Sequence, residues 1–144
     1  MRRVVNTILA LLMVVAMVAC GGGGNHTVEM HDTHGCIWSE GEEFFYENSD
    51  TLYRRNISIN VRYDGNYVAQ SVPVKILTVS PDSMILEEDF TLHIPYLADM
   101  QPDEHTFVYR SQVLLKRSGT YRFLVTPQQP VEGISSIGLI VDER

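Results

Sequence analysis

The sequence of 144 residues has little of what several functional classes need. Its 11 Lys and Arg residues are outnumbered by 18 Asp and Glu residues, and it has a single tryptophan and only two cysteines. Nucleic acids and anionic membrane surfaces are bound through basic patches. The acidic balance therefore argues against a nucleic acid or an anionic lipid surface as partner.

Recognisable catalytic motifs are also missing. The sequence has no G-x-S-x-G elbow, no H-E-x-x-H zinc motif and no phosphate-binding loop. His93 and His105 have no nucleophile at a recognisable spacing. Acidic pairs such as Glu42-Glu43 and Asp103-Glu104 are more typical of a solvated surface than of paired catalytic carboxylates. We therefore expect a protein that is not an enzyme and that needs no cofactor.

The N-terminal leader is the clearest feature that is present. Two arginines at positions 2 and 3 precede an apolar run of about 12 residues, which fits a signal peptide and is too short to span a bilayer. The run ends in Met17-Val18-Ala19-Cys20, the layout of a bacterial lipoprotein signal. We predict a signal peptide over residues 1–19, cleavage before Cys20, and acyl chains on the sulfur and new amino terminus of Cys20.

The chain after the leader divides into a tether and one domain. The run Gly21 to Gly24 and the polar residues after it predict a flexible tether over residues 20–36. Residues 37–144 have the usual size of one domain and contain no internal repeat. Cleavage removes two of the 11 basic residues, so nine remain against 18 acidic residues, a net charge of −9. Membrane attachment then depends on the acyl chains of Cys20.

The tether contains side chains that metals favour. His26, His31, His34 and Cys36 carry good ligand atoms for zinc or copper. Their spacing matches no common zinc module, so accidental histidines in a solvated segment are the main interpretation and metal binding is the alternative. Acylation of Cys20 leaves Cys36 without a partner for an intramolecular disulfide, and we predict that Cys36 is buried.

The hydrophobic pattern of the domain has the period of strands. Apolar and polar residues strictly alternate over residues 56–63, which predicts a strand with one solvated face. Pro73, within a second alternating run, indicates an edge strand. The acidic residues 87–89 interrupt two further apolar runs. A phase shift near Ser111 predicts a β-bulge, and Gly138 predicts a bulge or a close backbone approach.

These patterns predict an all-β fold. About seven or eight short strands and no segment of helical period favour a single antiparallel β-sandwich of the immunoglobulin-like or jelly-roll-like kind, with a closed barrel as the alternative. The segment Phe44-Phe45-Tyr46 is expected to form the first strand. We expect Trp38 to pack in the core because a domain of this size needs its large apolar residues inside.

Several residues recur in one known family. The ordered set that resembles its front half is Trp38, Phe44, Asp50, Asn56-Ile57-Ser58-Ile59, Arg62 and Tyr67. Gly119-Thr120-Tyr121-Arg122-Phe123 and residues 131–138, Val-Glu-Gly-Ile-Ser-Ser-Ile-Gly, resemble its C-terminal half. The family is the gliding-motility lipoprotein family GldH of Bacteroidetes. The resemblance covers most of the mature chain, whereas residues 69–72 and 80–105 depart from the pattern.

The resemblance implies a non-catalytic, lipid-anchored protein of the cell envelope. Such a protein would act with other gliding-motility lipoproteins, close to the machinery of gliding and type IX secretion. The alternative is a surface-exposed adhesin or glycan-binding lipoprotein. Asn25 follows the glycine run where surface lipoproteins of these bacteria often carry acidic residues, which favours a periplasm-facing location.

Overall fold

A computed structural model describes residues 26–95 and 102–143, and all of their regular structure is β-strand. Eight strands have at least seven residues, as the sequence predicted, and two are dipeptide strands. Within the described residues no helix could cross a membrane. The strands are β1 (His26–Asp32), β2 (Ile37–Trp38), β3 (Glu42–Asn48), β4 (Arg54–Tyr63), β5 (Val72–Val79), β6 (Ile85–Leu92), β7 (Asp103–Leu114), β8 (Gly119–Pro127), β9 (Val131–Glu132) and β10 (Ile134–Glu143).

The strands form two antiparallel sheets of four, in the orders β1-β10-β4-β7 and β3-β8-β5-β6, with β2 and β9 as a small separate pair. The alternating residues of β4 and β8 supply facing rows of the core, among them Ile59, Val61, Phe123 and Val125, each at most 1% exposed. The fold is therefore the predicted antiparallel β-sandwich. Trp38 lies in the core, as expected, with 1% of its surface exposed.

The connections gather at two ends of the sandwich. We call one the near end, because the first described residue lies there, paired with Asp142 on β10. The near end comprises His26 and residues 48–55, 79–86, 114–120 and 142–143. The far end comprises residues 32–42, 62–71, 93–95, 102–104 and 128–133.

The predicted tether is wrong over residues 26–36. Residues 26–32 form β1, which pairs with β10 from His26–Asp142 to Asp32–Ser136. The strand was missed because main-chain pairing at a sheet edge needs no apolar side chains. Phe44-Phe45-Tyr46 therefore lies in the third strand and not in the first, and the domain already includes residue 26. Residues 1–25, with the predicted leader and Cys20, lie outside the described residues.

The edge position predicted from Pro73 is also wrong, because β5 lies between β8 and β6. The carbonyl of Pro73 accepts a hydrogen bond from the Gln128 amide at 3.0 Å, just beyond the last β5–β8 pair, Val74–Pro127. The missing amide hydrogen of Pro73 therefore falls where this ladder ends, at little cost to the sheet.

The acidic residues 87–89 do not interrupt a strand, since β6 continues through them to Leu92. Asp103 and Glu104 begin β7 and are exposed, as expected of a solvated acidic pair, while residues 96–101 lie outside the described residues.

Candidate functional site

The near end carries most of the exposed apolar surface. Of eleven large apolar side chains that are exposed among the described residues, six lie at this end. We call them the near-end apolar surface: Leu52, Tyr53, Met84, Ile85, Leu86 and Leu114. The most exposed are Leu52 at 85% and Met84 at 69%. Apolar side chains clustered in this way mark interaction surfaces more often than singly scattered ones do.

A groove of about 670 Å³ opens beside this surface, between the β5–β6 hairpin and the β7–β8 connection. Met84, Leu86 and Leu114 line its mouth, and Leu115 and Tyr121 lie deeper, with 7% and 6% exposure. Leu86 belongs to the inward-facing row of β6 but is half exposed, because the two sheets do not close over it. The groove is therefore an apolar opening into the sandwich from its near end.

The hairpin beside the groove is held by backbone and side-chain bonds. The Ser80 amide donates to the Met84 carbonyl at 2.9 Å, and the Ser83 amide donates to the Ser80 carbonyl at 2.9 Å. Arg117 Nε donates to Asp82 Oδ2 at 3.0 Å, which joins the hairpin to the β7–β8 connection. The hydrogen bond from the Ser80 hydroxyl, together with the charge of Arg117, lowers the pKa of Asp82. Met84 is therefore presented on an ordered turn.

The other near-end loop, residues 49–53, is fixed by a buried arginine that sequence reasoning missed. Arg55 is fully buried and donates from Nε to the Tyr46 hydroxyl at 2.7 Å. Its other nitrogens donate to the Tyr53 carbonyl at 2.9 Å and to Glu143 Oε1 at 3.1 Å. No signal in the sequence distinguishes Arg55 from the exposed Arg54 except its inward phase in the β4 alternation.

Charges at the near end balance. The described near-end residues include four acidic and four basic side chains. They are Asp50, Asp82, Asp142, Glu143, Arg54, Arg55, Lys116 and Arg117. Three of the four acids are paired: Asp82 with Arg117, Glu143 with Arg55, and Asp142 with His26. The near end is thus apolar without a net charge.

The far end has the opposite character. Its described residues include seven Asp and Glu against one Lys or Arg, which is Arg62. Arg62 pairs with Glu104, and Glu42 pairs with His31. The other five acids have no ion-pair partner among the described residues, namely Asp32, Glu40, Asp64, Asp103 and Glu132. This end therefore presents a surface of negative charge.

The far-end loops are tied together around Gly133. Its backbone comes so close to Tyr67 that an added Cβ would lie 2.2 Å from the Tyr67 amide nitrogen. The Gly133 carbonyl accepts from the Asp64 amide at 2.9 Å, and its amide donates to the Cys36 carbonyl at 2.9 Å. Shallow clefts of about 210, 290 and 470 Å³ lie between these loops. The smallest of them is lined by Trp38, His34 and Glu40.

The predicted metal-ligand candidates are not brought together. His26 and His31 are five positions apart on β1, so they point to opposite faces of the strand. His26 pairs with Asp142, whereas His31 bonds to Glu42 at 3.0 Å and to Glu29 at 2.9 Å, which links β1 to β3. Within the described residues no three His, Cys, Asp or Glu side chains are grouped as a metal ion requires.

Cys36 and His34 belong to a tight turn. The Ile37 amide donates to the His34 carbonyl at 3.2 Å, and Gly35 and Cys36 have φ values of 63° and 56°. Two positive φ angles in succession are those of a type I′ turn. Cys36 is half-buried, so the prediction that it is buried is wrong, because the turn directs it toward the surface of the domain.

The remaining histidines have surface or packing positions. His93 is exposed after the end of β6, and His105 lies on β7 with its ring centroid 4.6 Å from that of Phe107. A compact polar cluster joins the edges of the two sheets, where Glu88 on β6 accepts from the Tyr109 hydroxyl and from Arg110 on β7. The hydrogen bond from Tyr109 is the main cause of the lowered pKa of Glu88.

Comparison with known proteins adds no family. No protein-family model and no curated protein sequence matches the chain. Solved structures with a similar arrangement include the serine protease of Aeromonas sobria in complex with its chaperone, at a TM-score of 0.40 and 12% identity over 92% of this chain and 29% of that one. A family GH115 4-O-methyl-α-glucuronidase has a TM-score of 0.40 and 9% identity over 81% of this chain and 16% of that one.

A carbohydrate-binding module of the β-sandwich superfamily has a TM-score of 0.36 and 11% identity over 84% of this chain and 53% of that one. The chain spans less than a third of the protease and of the glucuronidase. Similarities of this size carry no argument about function.

Proposed function

We propose that the protein is a lipid-anchored, non-catalytic binding or scaffolding component of the bacterial cell envelope, related to the GldH lipoproteins. It acts with other envelope lipoproteins of the gliding-motility and type IX secretion machinery and faces the periplasm. One observation carries this proposal. The chain enters the sandwich at the near end, at His26, six positions after Cys20, whereas the acidic loops lie at the far end.

The sequence Met17-Val18-Ala19-Cys20 supports the anchor, because the Gly-rich residues that follow allow a folded domain to hang from acylated Cys20. Two or more acyl chains bind a membrane firmly, whereas one binds only marginally.

The far end supports the binding role. Its five unpaired acids would draw a protein with a basic surface by electrostatic attraction, and charge complementarity speeds and selects such encounters. The backbone contact between Gly133 and Tyr67 holds the far-end loops in one arrangement before a partner arrives. Fixed loops lose little conformational entropy on binding, which favours a scaffolding role.

The alternative function, an adhesin or glycan-binding lipoprotein, has less support. Sugar-binding platforms use exposed aromatic rings. Of the aromatic residues at positions 38 and 44–46, Trp38, Phe44 and Tyr46 are buried in the core, at 6% exposure or less, and Phe45 alone is exposed, at 52%, so they form no platform of several rings. Protease accessibility separates the two functions. Digestion of the domain in intact cells would favour the adhesin, and digestion only after permeabilisation would favour the envelope component.

Site-specific photo-crosslinking tests the proposed function directly. A photoreactive residue in place of Glu40 or Glu132 at the far end should give an adduct with another envelope lipoprotein, identified by mass spectrometry. The same residue in place of Val108, exposed in the middle of β7 and away from both ends, is the control. Glu132→Lys should reduce the adduct formed from position 40 at least tenfold. Equal yields from positions 40 and 108 would contradict a binding role for the far end.

A further inference from the structure

We infer that the near-end apolar surface lies on the bilayer and inserts into its interface, so that the domain stands on the membrane by its near end. The partner is the lipid itself, in the zwitterionic region of headgroups and upper acyl chains. The inference rests on the proposed lipid anchor, but it adds a second and independent membrane contact made by the folded domain. It also fixes the direction in which the domain faces.

The connection between Cys20 and the start of β1 is short. Five residues separate Cys20 from His26, and His26 is already paired in the sheet at the near end. Even a fully extended chain covers at most about 3.6 Å per residue, so the start of β1 lies within roughly 22 Å of the acylated residue. A domain held that closely by its near end brings the same end to the lipid headgroups.

The exposed side chains of the near end are of the kinds that enter a bilayer interface. Leu52 is 85% exposed on one loop of this end, and Met84 and Ile85, in the separate β5–β6 hairpin, are 69% and 67% exposed. The free energy falls when leucine, isoleucine and methionine side chains leave water for the acyl boundary of a bilayer. Tyr53, next to Leu52, is 57% exposed, and tyrosine favours the headgroup level because its ring is apolar and its hydroxyl polar.

The two ends of the sandwich differ in net charge. The described residues of the near end include equal numbers of acidic and basic side chains, so its approach to a membrane surface is not opposed by their net charge. The far end has an excess of six acidic over basic side chains among the described residues. Anionic lipid surfaces repel such an end. Both ends therefore favour the same orientation, with the acidic loops directed away from the bilayer.

Among the described residues, the near end also lacks the features of an electrostatic membrane site. The exposed basic side chains described there are three, Arg54, Lys116 and Arg117, fewer than the four to eight of polybasic lipid sites. Insertion of apolar side chains is therefore what attracts the near end to the bilayer. This attraction should change little with salt, because salt screens charges and leaves apolar burial in place.

Fluorescence quenching of the acylated full-length protein in phosphatidylcholine vesicles tests this orientation. In a Cys36→Ser background, Ile85→Cys and Val68→Cys provide single labelling sites on exposed side chains at opposite ends. Spin-labelled lipids with shallow nitroxides should quench a fluorophore at position 85 at least threefold more than one at position 68. The difference should persist from about 0.05 M to about 0.5 M salt. Equal quenching at both positions, or loss of the difference in salt, would overturn the inference.

Two controls separate the insertion from the anchor. Flotation of the Leu52→Asp, Ile85→Asp variant, which lacks the apolar insertion, reports the anchor alone, so failure of this variant to float with the vesicles refutes the proposed anchoring before orientation is measured. In protein that floats, Leu52→Asp with Ile85→Asp should reduce lipid quenching of a label at Lys116→Cys at least twofold. Val68→Asp, a matched change at the far end, should leave that quenching unchanged. A loss of quenching that is the same in both variants would overturn the inference.

Discussion

At the scale of single residues, substitutions should be most destabilising where a neighbouring backbone leaves no space for a side chain. Gly133 has a φ of +83° and faces the backbone of Tyr67, so a side chain there meets atoms that cannot rotate away. Gly35 has a similar φ of +63°, but an added Cβ would meet nothing within 4 Å. Gly133 therefore combines a left-handed φ with a steric clash, whereas Gly35 has the left-handed φ alone.

We expect Gly133→Ala to lower the free energy of unfolding by more than ~3 kcal/mol, because it adds overpacking to an unfavourable φ. Gly35→Ala, the matched control, should cost only about 1 kcal/mol, the price of the left-handed conformation alone. Urea unfolding of both variants measures the difference. Equal losses in the two variants would show that the Gly133–Tyr67 approach contributes nothing.

Some of these residue positions could be predicted from the sequence. Gly138 was predicted as a possible close approach, and an added Cβ there would indeed lie 1.9 Å from the Met30 sulfur. The half-buried Cys36 was not predicted, although Gly35 before it is typical of a tight turn. The partners of Arg55 could not be predicted, because they lie up to 88 positions away along the chain.

At the scale of elements, the open side of the sandwich between β6 and β7 is joined by Glu88. This carboxylate lies in the inward row of β6 and accepts from the Tyr109 hydroxyl and from Arg110 on β7. Phe90 packs on Tyr109, with ring centroids 6.0 Å apart at 88°. An inward-facing charge on an edge strand also discourages pairing with a foreign strand.

Glu88→Gln should lower the free energy of unfolding by about 1–2 kcal/mol at pH 7, because a charge-assisted bond becomes a neutral one. The hydrogen bond from Tyr109 lowers the pKa of Glu88 in the folded protein. Its stabilisation is therefore present above the unfolded pKa of about 4.3 and is lost as the pH falls through the lower folded value. Denaturant unfolding at pH 7 and near pH 3 should show the difference from the original protein disappear in acid. A difference that is unchanged by pH would exclude the charge as its cause.

Elements with an alternating pattern were predicted in the right place. The solvated face expected for residues 56–63 is wrong at Ser58 and Asn60, each 5% exposed, because β4 lies between β10 and β7 and their side chains cover it. The strand expected over residues 56–63 is β4, residues 54–63, and the bulge expected near Ser111 is present. Ser111 and Gln112 together face Asn56, and Gln112 has a φ of 53°. Strand β1 was missed because its pattern is polar, and its place depends on β10, more than 100 residues later. The sequence of β1 alone carries no signal for a partner so far away along the chain.

At the scale of the whole molecule, the sandwich has two unlike ends. The near end is apolar and electroneutral and follows the predicted lipid anchor, whereas the far end is acidic and carries ordered loops. In our account the first contacts the membrane and the second contacts a protein partner. A β-sandwich suits this arrangement because its rigid core holds the two ends at a constant separation.

Acylation at Cys20 is the modification on which both the anchoring and the proposed orientation of the domain depend. Mass spectrometry of the N-terminal peptide from membrane-isolated protein tests it most directly. We predict a mature chain that begins at Cys20 and carries acyl groups on the sulfur and on the amino nitrogen. A mature protein that retains residues 1–19, or that begins at Cys20 without lipid, would contradict the account.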